Sequence, residues 1–321
     1  MILIAPDKFK GTYTSSEICA IVTKRLSNAA INVPIKAVPL SDGGEGAAEA
    51  LMPSATKVGQ GIYERDGIRL AVSSELVGFD AFRGSSLPLM RRSSIALGKA
   101  VTPCIPTYIA VGGTATSDCG AGFLQGLGAR FYDRQGKPIN EPLCPDTLQR
   151  VSSCDLSSLS SYDIKGIIDV RASLYEGTLT ALDFARQKAL PGENLTQLRD
   201  ALMHFQKVVG GRSEWDGAGG GLGYAIASVC GAPCRSGAET AIELIDVKWE
   251  EVQLIISGEG CVDAQTSRGG KLVDTLYRKA VAHGIPMIIL YGRAELPLPY
   301  PHLAQINEPW EDKITELIAK S

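Results

Sequence analysis

The chain is read as an α/β protein of two domains: a doubly wound parallel sheet formed by both chain ends, with a second domain inserted between them. Three observations predict this. Short apolar runs at both ends, Ile2–Ala5, Ile35–Leu40, Val252–Ile256 and Pro286–Tyr291, have the length and composition of buried strands. Stretches with apolar residues at helical spacing alternate with them. Several of the strands run into glycines flanked by acids or hydroxyls, the kind of turn found at the carboxyl ends of strands where open α/β sheets bind ligands.

Taken in order, Ile2–Ala5 is a first strand, and Thr14-Ser-Ser-Glu17 then reads as a capping box. In such a box a hydroxyl and an acid three residues on satisfy each other's backbone N–H groups, which predicts a helix over Ser15–Leu26 with Ile18, Ile21, Val22 and Leu26 on one face. The strand Ile35–Leu40 leads through Asp42-Gly-Gly-Glu-Gly46 to a helix over Gly46–Met52. The middle of the chain differs. Gly67–Val77 reads as extended, Tyr108–Val111 as a buried strand before a glycine turn and a helix, and Gln135–Ser161 is rich in turn formers and weakly patterned. Leu182–Leu190 and Leu222–Val229 have helical character, and a helix around Leu272–His283 with the strand Pro286–Tyr291 restores the opening theme. The boundaries therefore fall near 60 and 238, with 1–60 and 238–321 as the sheet domain and 61–237 as the insert.

Composition narrows the function. Hydrophobic content of 45% with 21% charged residues is that of a globular, water-soluble chain. Net charge is −3 and the Lys and Arg residues are dispersed, which argues against a nucleic-acid partner. No apolar run is long enough to span a bilayer and no basic segment precedes an apolar one at the start, so a cytoplasmic protein without membrane association is expected. Eight cysteines without a Cys-x-x-Cys pair, and three histidines, argue against zinc.

The segment Tyr108-Ile-Ala-Val-Gly-Gly-Thr-Ala-Thr-Ser-Asp-Cys-Gly-Ala-Gly122 carries the most chemistry. Gly112 and Gly113 allow a tight turn, and Thr114, Thr116 and Ser117 offer hydroxyls where the first free N–H groups of a helix would point, a place suited to phosphate. Asp118 there would repel a bare phosphate, yet could hold a bridging Mg²⁺ or accept a proton from a substrate hydroxyl. Familiar nucleotide signatures are absent. Gly98-Lys99, Gly136-Lys137 and Gly270-Lys271 are not followed by Ser or Thr, so there is no Walker A loop. Gly217-x-Gly219 and Gly258-x-Gly260 meet Leu222 and Asp263 where a dinucleotide fingerprint needs glycine, and no Gly-x-Ser-x-Gly occurs.

Several blocks together resemble one family. Ala5-Pro-Asp-Lys-Phe-Lys10, Pro39-Leu-Ser-Asp-Gly-Gly-Glu-Gly46, Gly112–Gly122, Gln187-Lys188, Gly217-Ala-Gly-Gly-Gly-Leu-Gly223, Ser236-Gly-Ala-Glu239 and Ser257-Gly-Glu-Gly-Cys-Val-Asp-Ala-Gln-Thr266 with Gly270-Lys271 are similar to the glycerate kinase family of the bacterial glycerate and glucarate pathways. This resemblance spans nearly the whole chain. It implies a Rossmann-like domain and an inserted α/β domain with the active-site cleft between them. It further implies ATP-dependent phosphorylation of D-glycerate with Mg²⁺, on the 2- or the 3-hydroxyl with the resemblance favouring 2-phosphoglycerate, and with the substrate and the nucleotide as partners; a homodimer is compatible with it.

On those blocks, Lys8 and Lys10 are candidates for neutralising substrate or phosphate charge, and Lys188 and Lys271 stand beside them. Asp42 and Glu45 are candidates for Mg²⁺, and Asp118 for the general base, with Asp169 as rival. Gly43, Gly44, Gly112, Gly113, Thr114, Thr116, Ser117, Gly219, Gly220, Glu259 and Asp263 complete the expected substrate and nucleotide contacts.

The chain also departs from the family pattern. Asp169-Val-Arg-Ala-Ser-Leu174 has Ala172 and Ser173 where the family has Asn and Pro, Cys261 stands for an arginine, Val273 for a proline, and Arg91–Gly98 lacks a glycine pair. A second reading follows from these losses: a relative with altered hydroxy-acid specificity, or one that binds ligand without turnover.

Overall fold

The computed structural model describes residues 1–321 apart from 10, 30, 84–85, 190–191, 263–265, 267–270, 296–297 and 319–321, and apart from the side chain of Thr315. The chain forms two compact units. The first comprises Met1–Asp42, Glu49–Pro53 and Gly237–Ser321, and the second Gly43–Ala48 and Ser54–Ser236.

The first unit is built on a five-stranded parallel sheet ordered Leu303–Gln305, Met287–Ala294, Leu254–Val262, Ile2–Ile4, Ile35–Ala37. The strand Ile2–Ile4, flanked by Leu254–Val262 and Ile35–Ala37, is apolar throughout and fully buried, as a parallel strand covered on both faces must be. Ile2 and Ile4 share a core with Ile18, Val22 and Leu26 of the helix Ser15–Asn28 and with Trp310 and Ile314. Thr14 caps that helix and Glu17 closes the expected capping box.

The second unit holds a six-stranded mixed sheet ordered Cys234–Ser236, Ile164–Ile168, Thr107–Val111, Ile68–Val72, Ile62–Arg65, Thr56–Gly59. The first four strands run parallel and the last two add an antiparallel meander. Both units are thus α/β with parallel strands, the predicted fold class.

Several elements differ from the sequence reading. Gly67–Val77 is extended only over Ile68–Val72 and then turns helical at Ser73–Val77, where Leu76 and Val77 enter the core. The weakly patterned Gln135–Ser161 contains the short helix Pro145–Leu148, and its strand Ser153–Asp155 pairs with Arg130–Tyr132 in a small separate sheet. Leu182–Leu190 is helical only over Ala181–Ala185. The apolar run after the glycine cluster becomes a π-helix, Tyr224–Val229. Among the described residues no helix is long and apolar enough to cross a membrane.

Candidate active site

In the second unit the strands Thr107–Val111 and Ile164–Ile168 pair in parallel with Val111 opposite Ile168, so Gly112 and Asp169 leave the sheet side by side at its carboxyl edge. The Asp169 N–H donates to the Val111 carbonyl at 3.1 Å. A Cβ on Gly112 would stand 2.9 Å from the Gly44 backbone and 3.0 Å from Asp169 Oδ2, so only glycine leaves this junction open. Gly43, at φ +112°, lies where a Cβ would meet the Ile167 carbonyl at 3.1 Å. This close approach is why Gly43–Ala48 clusters with the second unit.

The loop after Gly113 is not the first turn of a helix, contrary to expectation. Cys119 and Gly120 take left-handed conformations at φ 58° and 64°, and the helix begins only at Ala121. Thr114, Thr116 and Ser117 therefore lie in the loop itself. Asp118, fully buried, binds the pieces together: Ser94 donates to it through its N–H at 2.7 Å and its hydroxyl at 2.8 Å, and the Gly120 and Gly122 N–H groups each donate at 3.2 Å. Burial raises its carboxyl above the ordinary range while these four donors pull it down. A carboxylate so engaged organises a loop and is poorly placed to take a substrate proton.

Gly219 and Gly220 back this loop from behind. Both have positive φ; a Cβ on Gly220 would overlap the Thr116 carbonyl, and one on Gly219 would stand 2.7 Å from Val111 Cγ1. Their lack of side chains is used for packing against the loop.

Lys188 enters from the turn after the helix Ala181–Ala185. Its Nζ donates to Thr114 Oγ1 at 3.0 Å and to the Thr116 carbonyl at 2.9 Å. Burial pushes this ammonium down to about 8, against the pull of the Asp169 and Asp118 carboxylates; nearby Arg92 pushes it down further. In the same loop, the buried hydroxyls Thr116 Oγ1 and Ser117 Oγ have no hydrogen-bond partner among the described residues. Orphaned buried hydroxyls cost roughly 1–3 kcal/mol each, a cost that an oxyanion ligand would remove.

The first unit carries a separate acidic cluster. Asp7 follows the strand Ile2–Ile4, and its N–H donates to the Gly258 carbonyl at 2.9 Å. Burial, then the neighbouring Asp42 and Glu259 carboxylates, push Asp7 up to about 7, while Lys8 opposes them with its charge and its N–H. Glu259 is not in a loop beyond the strand end, as its glycine neighbours suggest. Gly258, Glu259 and Cys261 all belong to the nine-residue strand Leu254–Val262, paired with Met287–Ala294, and a Cβ on Gly258 would overlap the Leu290 carbonyl. The helix Gly237–Glu243 starts flush against Asp42, since a Cβ on Gly237 would collide with the Asp42 carbonyl.

The remaining expected residues fall as follows. Lys8 is buried, Glu45 is exposed on the second unit, and Lys271 is half-buried at the N-cap of the helix Leu272–Ala282. Lys10 and Asp263 lie outside the described residues. Among the described residues no group of three or more His, Cys, Asp or Glu could hold a metal ion.

A model of the glycerate kinase family matches residues 2–67 and 73–308. The chain belongs to the glycerate kinase family. It is accordingly an enzyme of the kinase class. The glycerate kinase of Neisseria meningitidis serogroup B is 27% identical to it, over 98% of this chain and 93% of the relative. The glycerate 2-kinase of Escherichia coli strain K12 is also 27% identical, over 84% of this chain and 79% of its own. A solved structure of a protein provisionally named glycerate kinase 2, from Salmonella typhimurium LT2, matches with a TM-score of 0.67 at 24% identity, over 99% of this chain and 94% of that one, and so shares its fold.

The departures from the glycerate kinase pattern can now be placed. Ala172 packs in the core with Val170 and Leu174, and its backbone is tied on both sides, its N–H to the Glu214 carbonyl at 3.1 Å and its carbonyl to the Gly217 N–H at 2.7 Å. Beside Cys261, a guanidinium stands in from the next strand: Arg293 Nη2 lies 3.5 Å from Cys261 Sγ. From sequence alone, Asp7 reads only as a helix cap or turn closer, and Arg92 and Ser94 only as an arginine and a hydroxyl of Arg91–Gly98 that could still serve, none of the three with an assigned site role. Asp7 carried a signal, a carboxylate directly after a buried strand, while for Ser94 and Arg92 the sequence shows only that a hydroxyl and a guanidinium are present in that segment, since their partners are distant in sequence.

Proposed function

We propose that the protein transfers the γ-phosphoryl group of ATP to a hydroxyl of D-glycerate, with Mg²⁺, giving 2-phosphoglycerate. One observation carries this reading. Lys188 Nζ is buried on the Thr114–Ser117 loop beside Asp169, and that loop carries two unpartnered buried hydroxyls, Thr116 Oγ1 and Ser117 Oγ. That arrangement offers positive charge and donors to an oxyanion, and a carboxylate to a hydroxyl, which is what phosphoryl transfer asks of a protein.

Asp169 serves as the base. It accepts the glycerate hydroxyl proton as the new O–P bond forms and the bond to the departing ADP oxygen breaks. Lys188, Thr116 and Ser117 stabilise the charge spread over the transferring oxygens. Asp118 keeps the loop in the shape that this contact needs. Gly112 and Gly44 supply room for a ligand to approach Asp169.

The Asp7, Asp42 and Glu259 carboxylates in the first unit fit a divalent cation in one respect: burial first, and then the neighbouring like charges, push Asp7 up to about 7, and a cation would relieve the repulsive part. Mg²⁺ commonly uses only one or two carboxylates, completing its shell with water and phosphate. Asp42 is the candidate ligand there; Glu45, the other residue expected to hold Mg²⁺, belongs to the second unit and is exposed. When bound, Mg²⁺ supplies charge neutralisation of the nucleotide phosphates.

The test is a coupled ADP-release assay with ATP and Mg²⁺ against D-glycerate, L-glycerate, tartronate and no acceptor, with ³¹P NMR of the product. ADP release that requires D-glycerate, with 2-phosphoglycerate formed, supports the reading. Release driven only by another acid would redirect the substrate, and no acceptor-dependent release would sink the proposal.

A further inference from the structure

Arg92 is a buried cation for which the proposed reaction has no use. It follows the short turn Leu89–Arg91 and precedes the helix Ile95–Ala100. Its Nε donates to the Leu87 carbonyl at 3.0 Å, and its Nη1 to two further carbonyls, Ala115 at 3.3 Å and Lys188 at 3.2 Å. Its guanidinium lies over the Phe82 ring, 5.4 Å from the centroid. The polar partners are all carbonyl oxygens, and among the described residues no carboxylate forms an ion pair with it. An arginine buried without a countercharge is costly, and its planar guanidinium reaches three carbonyls from two fixed nitrogens, Nε to Leu87 and Nη1 to Ala115 and Lys188, a spread a lysine's single nitrogen lacks.

We propose that Arg92 is a positioning residue. By gripping the Ala115 and Lys188 carbonyls with one nitrogen it registers the Thr114–Ser117 loop against the turn that carries Lys188, so that Lys188 Nζ stays seated on that loop. The two gripped carbonyls flank the contact on both sides: Ala115 lies between Thr114 and Thr116, the residues that Lys188 touches, and the other carbonyl belongs to Lys188 itself. A slip of either segment would pull the ammonium off its acceptors. This inference rests on the reading that Lys188 neutralises the transferring group.

Three charged groups face Lys188 among the described residues. Asp169 and Asp118 favour its ammonium form, and Arg92 opposes it. Arg92 therefore acts on Lys188 in two separable ways, through the carbonyl grip and through charge.

Two variants of the full chain separate them. Arg92→Gln removes the charge and the double grip; Arg92→Lys keeps the charge and loses the fork. Two readouts are taken: kcat and KM with ATP and D-glycerate, and a ligand-free ¹³Cε-lysine NMR titration of Lys188, assigned with Lys188→Arg. Arg92→Gln is expected to lower kcat by about tenfold or more and to move the Lys188 midpoint upward, while Arg92→Lys, which keeps the charge, lowers kcat without that upward shift. An unmoved midpoint in Arg92→Gln, or wild-type kcat in both variants, would overturn the proposal. Should Arg92→Gln fail to fold, Arg92→Lys decides by kcat alone. Should the wild type show no acceptor-dependent turnover, the proposed reaction fails by itself, and the ligand-free titration still decides whether Arg92 acts on Lys188.

Discussion

Nζ of Lys188 donates to the carbonyl oxygen of Thr116 at 2.9 Å, joining a turn and a glycine loop 72 residues apart in sequence. The contact makes Lys188 part of the loop's own architecture as well as a candidate for ligand charge. Its position next to Asp169 and Asp118 gives the second unit a buried patch in which one ammonium balances two carboxylates.

The first prediction concerns pH. Burial holds Lys188 down to about 8, so its charged form is lost as pH rises through that value. Turnover that depends on the ammonium is expected to fall above about pH 8. Lys188→Arg, which does not titrate in this range, should abolish that alkaline limb, and Lys188→Met should lower kcat/KM by about 10²–10³-fold. A kcat/KM profile from pH 6 to 10 checks both. An alkaline limb that survives in Lys188→Arg would assign the titration to another group.

Asp118 and Asp169 are both buried or half-buried acids of the same unit, yet they should fail differently. Asp118→Asn replaces a carboxylate serving four donors with a group that has one acceptor oxygen and two N–H groups facing donors. A stability loss of about 2–4 kcal/mol is expected, with turnover reduced through the distorted loop. Asp169→Asn should remove turnover with little change in melting temperature. Thermal melts beside kcat values make the comparison, and a reversed pattern would return the base role to Asp118.

Gly112→Ala tests the junction between strand end and base. The added methyl would sit 3.0 Å from Asp169 Oδ2 and 2.9 Å from Gly44 Cα, so Asp169 or the Gly43-Gly44 turn must move. Displacing a reacting group by about 1 Å costs roughly 10²-fold in rate, and kcat is expected to fall by that order while KM for ATP changes less. Unchanged kinetics would mean that the turn absorbs the methyl and that Asp169 needs no such fixed placement.

How much of this was legible in the sequence follows from range. The parallel sheets were, because a doubly covered strand such as Ile2–Ile4 must be continuously apolar. The close packing at Gly43-Gly44 and Gly112 was, because a tight turn at a strand's end tolerates little but glycine. What stayed hidden depends on partners far along the chain. Glycines in Ser257–Gly260 signal a turn by local chemistry, yet Gly258 is small because the Leu290 carbonyl of the neighbouring strand is close, and so Glu259 remains within the sheet. Asp118 precedes a helix by sequence, but its strongest donors come from Ser94, 24 residues upstream. No local pattern encodes that.

The last prediction turns on the sign of the Asp7 shift. Its carboxyl is raised from an ordinary value of 3.8 to about 7 by burial and by the Asp42 and Glu259 charges. Between those two values the folded protein holds a proton that the unfolded chain has released, so stability falls as pH rises through this window and levels off above it. Asp7→Asn removes the titrating group and should remove that slope. Urea melts at pH 5 and pH 8 are therefore expected to show the wild type losing on the order of 2–3 kcal/mol relative to Asp7→Asn, the shared contributions of all other groups cancelling in the difference. Adding Mg²⁺ at pH 8 should return more stability to the wild type than to the variant, because the cation relieves repulsion among three carboxylates in the wild type and between two in the variant. Parallel pH dependence in the two proteins would show that the acidic cluster is not strained by its own charge, and would take away the physical argument for a cation there.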